Sequence, residues 1–175
     1  MLNEVMGYIQ DIWGRLSRLE SKNVQLLQVR GNTTASKNTN VNPAAATAID
    51  WNLGATSDIG NIGTLFTHST STNPTRITIN RKAFVEVDIA ICVSGAVTDT
   101  NVEVSARVNG STFLRPFCNA YISNAGGHTL SNAIMTVWYR ASAGDYIEVL
   151  TQQEAAAGTV ALRDISRLTI KEIFQ

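Results

Sequence analysis

Charge is scarce in this chain. Only 16% of its 175 residues are Asp, Glu, Lys or Arg, and the 14 basic side chains are matched by 14 acidic ones. A neutral chain without a basic run has no electrostatic reason to hold nucleic acid or an anionic membrane, so neither is expected as a partner. Long apolar runs are missing as well. None approaches the eighteen or so residues that a membrane-spanning helix needs. The opening "MLNEVMGYIQDIWGRL" places Glu4 and Asp11 inside its apolar stretch, so no signal peptide is expected and the chain reads as made in the cytoplasm. Cysteine is limited to Cys92 and Cys118, each in an apolar, strand-like run. Buried free thiols are the simpler reading, and a disulfide remains the alternative. Histidine is limited to His68 and His128, neither beside an acid or a nucleophile in sequence. No CxxC, Cys/His cluster, GxxxxGK[ST] loop or Ser-His-Asp arrangement is present, so no cofactor or metal is expected and an enzyme is not. Glu86 and Asp88, two apart on one strand, could in principle form a glycosidase pair, but a solvated strand face explains them more simply.

What is present falls into three segments. In residues 1–28, Leu2, Ile9, Leu16 and Asn23 fall at heptad position a, and Val5, Ile12, Leu19 and Leu26 at d. That narrow seam predicts a coiled coil. Trp13 and Met6 widen the stripe, which leaves a helix lying on its own core as the alternative. Leucine at a with β-branched residues at d favours trimers or tetramers over dimers. Arg15 at g and Glu20 at e are placed to pair between neighbouring helices, and Asn23 at a would set register. "RLSRLE" also resembles a short trimerisation motif of coiled coils. The expected trimerisation and anchoring residues are therefore Leu2, Val5, Ile9, Ile12, Arg15, Leu16, Leu19, Glu20, Asn23 and Leu26. Residues 29–43, "VRGNTTASKNTNVNP", are dominated by Asn and Thr and read as a polar linker or neck.

Residues 44–175 show period-two runs separated by turn signals such as Asn73-Pro74, Asn109-Gly110 and Gly144-Asp145. In "FVEVDIAI", Val85, Val87, Ile89 and Ile91 share one face. Eight to ten such strands predict a two-sheet sandwich, a jelly-roll head that follows the N-terminal α-helical coiled coil in a mainly β protein.

The order "AFVEVDIAICVSG", "VNG", "YRASAGDYIEVLTQQ" and a C-terminal "SRLTIKEIFQ" resembles the heads of complement-type and tumour-necrosis-factor-like jelly rolls over about 130 residues. The piece "AGDYIEV" carries most of that likeness. The resemblance implies a parallel homotrimer, with Tyr146, Val149, Trp138 and Phe174 as candidates for the head interface. A coiled coil followed by such a head is also similar to virion surface proteins of tailed bacteriophages: capsid fibres, decoration proteins and tail-fibre heads. It implies a structural role on the virion surface, with other virion proteins of capsid or tail as partners. The alternative is the receptor-binding head of a short tail fibre that recognises a host surface glycan or protein, for which Trp51, Tyr121 and Tyr139 are the candidate aromatics.

Overall fold

A computed structural model describes residues 5–10, 12, 25–53, 60–97, 99–123 and 127–174. Among the described residues, thirteen strands build two antiparallel sheets packed face to face. The first sheet runs β10 (Leu130–Ala141), β7 (Ala83–Gly95), β13 (Arg167–Phe174), β1 (Leu26–Gly31) and β3 (Trp51–Leu53). Two short strands extend it: β12 (Val160–Leu162) beside β7, and β4 (Asn61–Ile62) beside β1. The second sheet runs β5 (Phe66–His68), β6 (Ile77–Ile79), β11 (Tyr146–Gln153), β8 (Thr100–Val108) and β9 (Thr112–Ile122), with β2 (Thr47–Ala48) also paired to β11. This is the expected sandwich, and the apolar face of β7 read from its alternation is the buried one: Val85, Val87, Ile89 and Ile91 lie in the core with Val102, Val104, Ile147 and Val149 from the facing sheet.

Turn chemistry explains the hairpins. Asn109 and Gly110 both take positive φ, 52° and 73°, and Ser111 N–H donates to the Val108 carbonyl, so β8 and β9 are joined through a turn that matches strand twist. Pro116 interrupts β9 without cost to a ladder because β9 is the edge of its sheet.

The N-terminal boundary differs from expectation. Leu26, assigned to the coiled coil, begins β1, which pairs antiparallel with β13 from Leu26↔Lys171 to Arg30↔Arg167 and, on its other side, with β3 and β4. Leu27 and Val29 are fully buried. "LLQVR" thus alternates as a strand, and the heptad count runs over it by coincidence, since an apolar residue every third or fourth position also satisfies period two for a few residues. The sandwich begins near Gln25, not at residue 44. Gln25 Oε1 accepts from Thr64 N–H and Leu65 N–H, both 2.9 Å, and its carbonyl accepts from Glu172 N–H, so the chain is pinned where it enters the sheet.

The expected neck is also part of the sandwich. A 3₁₀ turn at Ser36–Thr39 packs against it, and Val41 is buried with its N–H on the Val160 carbonyl. Asn38 is buried; its Nδ2 donates to the carbonyls of Asn32 and Asp50, and its Oδ1 accepts from Asp50 N–H. Asn42 Nδ2 donates to the carbonyls of Ala156 and Gly158. These amides satisfy irregular backbone that has no ladder partner, which is why a polar composition here marks a docked segment and not a solvated one.

Of the remaining coiled-coil residues, Val5, Ile9 and Ile12 are helical and exposed. Leu2, Arg15, Leu16, Leu19, Glu20 and Asn23 lie outside the described residues.

Candidate interaction surfaces

The outward face of the first sheet is built by the residues that alternate with its core set. On β10 these are Leu130, Asn132, Ile134, Thr136, Trp138 and Arg140, opposite Ser94, Cys92, Ala90, Asp88, Glu86 and Phe84 of β7. Four apolar side chains here meet solvent: Ile134 is 72% exposed, Trp138 64%, Ile165 63% and Leu130 58%. A sheet face normally carries polar groups when it faces water, so these exposures mark the surface as one awaiting cover.

Several polar groups on the same face are paired within the chain. Lys171 Nζ sits 2.5 Å from Glu86 Oε1 and 3.7 Å from Asp88 Oδ2. Trp138 Nε1–H donates to Glu86 Oε2 at 2.8 Å, Thr136 Oγ1 donates to Asp88 Oδ1 at 2.7 Å, and Gln28 Nε2 donates to Thr169 Oγ1 at 3.0 Å. The bond from Lys171, and after it the one from Trp138, holds the Glu86 carboxyl below its usual range. Glu86 and Asp88 are thus bridged by Lys171 on an exposed strand face. Beside them Arg30, Arg167, Asn132, Cys92, Ile134 and Ile165 rim a concavity of about 370 Å³.

The outward face of the second sheet is polar over β5, β6 and β11, whereas its edge strand β9 exposes Phe113 and Phe117, whose rings meet edge to face. Thr67, Thr78 and Tyr146 form one cross-strand row over β5, β6 and β11. The loop from Ser69 to Asn73 closes one side and leaves a cleft of about 220 Å³ lined by Thr67, Ser69, Thr72, Asn73, Arg76, Thr78 and Tyr146. The Arg76 guanidinium lies over the Tyr146 ring, 4.2 Å from its centroid. Arg76 Nε donates to Glu148 Oε1 at 3.3 Å, and Glu148 also accepts from Thr75 Oγ1 at 2.9 Å and Arg107 Nε at 3.0 Å. Glu148 is buried. Burial pushes its carboxyl up, but the bonds from Thr75, Arg107 and Arg76 outweigh that and hold it below the usual range.

The candidate head-interface residues do not share a surface. Trp138 lies on the outward face of the first sheet. Tyr146 lies on the second sheet, in the polar cleft. Val149 is fully buried between the sheets, on the core side of β11. Phe174 ends β13 opposite Phe84, and its side chain is outside the described set. Among the aromatics considered for a glycan, Trp51 is fully buried. Tyr139 OH donates to Asp145 Oδ2 at 2.7 Å, and burial together with that carboxylate pushes the phenol up to about 12. Tyr121 is exposed, with its hydroxyl on Asp99. Asp145 of the Gly-Asp turn also accepts from Asn109 Nδ2 and Ser142 N–H, both 2.8 Å, so its role is to tie two turns together at one end of the sandwich.

His68 faces two carbonyls, Nδ1 at 3.0 Å from Arg76 O and Nε2 at 3.2 Å from Trp51 O, and so braces β5 against its neighbours. His128 is exposed. Cys92 and Cys118 are free, on strands of different sheets, and burial raises both thiols, that of Cys118 to about 11. Among the described residues no group of three or more His, Cys, Asp or Glu is placed to hold a metal ion, and no helix is long and apolar enough to cross a membrane. Glu148 and Arg76 had no signal in the sequence. "YIEVLTQ" places its Glu where an alternating strand faces solvent, and only the turn before β6 and the neighbouring β8 bring the arginines to it.

No family model matches the chain, and no curated protein matches it in sequence. Solved structures do match. A crystal structure of murine APRIL at pH 8.0 aligns with a TM-score of 0.58 at 11% identity, covering 86% of this chain and 99% of that one. Murine APRIL at pH 5.0 gives 0.55 at 12% identity, and at pH 8.5 gives 0.58 at 10%, with the same coverage. At such identities the likeness is one of fold: the sandwich is a jelly roll of the tumour-necrosis-factor-like kind.

Proposed function

We propose that the chain is a non-enzymatic structural protein of a bacteriophage virion, a homotrimer whose heads meet through the outward face of the first sheet. Its N-terminal heptads form a parallel three-stranded stalk that anchors it to capsid or tail proteins. The observation that carries this reading is the exposure of Ile134, Trp138, Ile165 and Leu130 on one sheet face. Their burial against a second copy recovers roughly 25 cal/mol for each Å² of apolar surface removed from water. Glu86, Asp88 and Lys171 are paired inside each protomer, so covering this face leaves none of those three charges alone, while Arg140 and Arg167 on the same face have no ion-pair partner among the described residues. The entry point supports the stalk. Gln25 is held beside Glu172 of β13, so the preceding heptad segment leaves from the sheet that carries the apolar face. Three copies joined by that face would bring three such segments together at high local concentration. The virion assignment draws on the similarity of a coiled coil followed by a jelly-roll head to phage surface proteins.

Light scattering on the full chain tests the assembly. A mass near three chains is expected, and Ile134→Asp together with Trp138→Asp should lower it. A monomeric mass for the unaltered protein refutes the trimer. Antibody labelling of phage particles in electron micrographs tests the location: label on capsid or tail is expected, and unlabelled particles refute it.

A further inference from the structure

The polar cleft on the second sheet belongs to no part of the assembly reading. It sits on the opposite sheet from the apolar face and stays open in a trimer formed through that face. We infer that it is a binding site for a single acidic sugar, a pyranose carrying a carboxylate.

Arg76 supplies the anion contact. Its Nε is held by Glu148 and its Cζ lies over the Tyr146 ring, so the side chain is held in place before any ligand arrives. Nη1 and Nη2 have no hydrogen-bond partner among the described residues, and the residue lines the cleft. A guanidinium fixed in this way presents a planar pair of donors, which matches the two oxygens of a carboxylate. Thr72, Asn73 and Thr78 ring the same space with side chains that make no internal hydrogen bond among the described residues. Hydroxyl and amide groups that both donate and accept are what sugar hydroxyls require. Asn73 takes a positive φ of 54°, which turns the loop back over β6 and closes the cleft on that side. The volume of about 220 Å³ admits one sugar ring and not an extended chain within it. A bare anion site would need neither the hydroxyl rim nor a cleft of this volume. Glu148 disfavours a doubly charged ligand here, since its charge already offsets part of Arg76 and Arg107.

The test is a titration of the full chain, followed by amide NMR, with glucuronic acid and N-acetylneuraminic acid as probes. Glucose and inorganic sulfate serve as controls. Either acid should cause saturable shifts at Thr72, Asn73, Arg76 and Thr78. Arg76→Lys keeps the charge but not the paired donors, and should weaken binding about tenfold. Thr78→Val keeps the volume and the strand, and should weaken it severalfold; it stands as the control should Arg76→Lys disturb Glu148. Absence of shifts at these amides with both acids overturns the site. Equal shifts with sulfate overturn the sugar and reduce the cleft to an anion contact, and equal shifts with glucose overturn the role of Arg76. None of these outcomes depends on the mass of the assembly, so failure here is separable from failure of the trimer.

Discussion

Glutamate 148 should be the most sensitive single charge in the protein. Its side chain is 5% exposed and accepts from Thr75, Arg76 and Arg107. Glu148→Gln keeps the shape and one acceptor oxygen but removes the charge opposite two guanidiniums. Breaking a fully buried ion pair costs about 3–5 kcal/mol. The arginine side chains are 38% and 27% exposed, so water screens part of the stranded charge. A loss of about 2–3 kcal/mol is therefore expected. For a domain of this size that lowers Tm by roughly 4–12 °C. The pH dependence gives a sharper check. The folded carboxyl titrates below its unfolded value. Its contribution is thus fully present above the ordinary glutamate pKa of about 4.3 and fades as pH falls through the lower folded value. Urea unfolding of both proteins, at equal protomer concentration, should show a wide gap at pH 7 that closes in strong acid. A gap that is the same at both ends, or absent at pH 7, would refute the assignment of Glu148 as a charge held by its arginines.

Two further outcomes concern the N-terminal boundary. Removing residues 1–24 should leave a folded sandwich by circular dichroism, whereas removing residues 1–30 should abolish cooperative unfolding, because it deletes β1 from between β13 and β3 along with the buried Leu27 and Val29. Asn38→Ala should destabilise the protein by about 2–3 kcal/mol in urea melts, since it strips partners from the Asn32 and Asp50 carbonyls and from Asp50 N–H at a buried position.

Much of the fold was legible because β-strand alternation is a local signal. The long strands β7 to β11 and β13 follow from period-two runs, and Asn109-Gly110 and Gly144-Asp145 mark turns by backbone chemistry alone. The short strand β1 was hidden. Six residues are too few to separate period two from a heptad seam that reaches them from the N-terminal side, and only pairing with β13, more than 130 residues away, decides it. The run of Asn and Thr after it was equally ambiguous, because an amide that solvates a linker and an amide that caps buried backbone are the same residue.

The sites divide in the same way. Alternation told which β7 residues are buried, and with them which ones face outward, Glu86 and Asp88 included. It could not tell that Trp138 and Tyr146 belong to opposite sheets, that Val149 is sealed inside, or that Glu148 gathers one arginine from the turn before β6 and another from β8. Local sequence sets which side of a strand a residue occupies. Which strands lie side by side, and hence which side chains meet, is set by long-range pairing and the burial it achieves, and no local pattern carries that information.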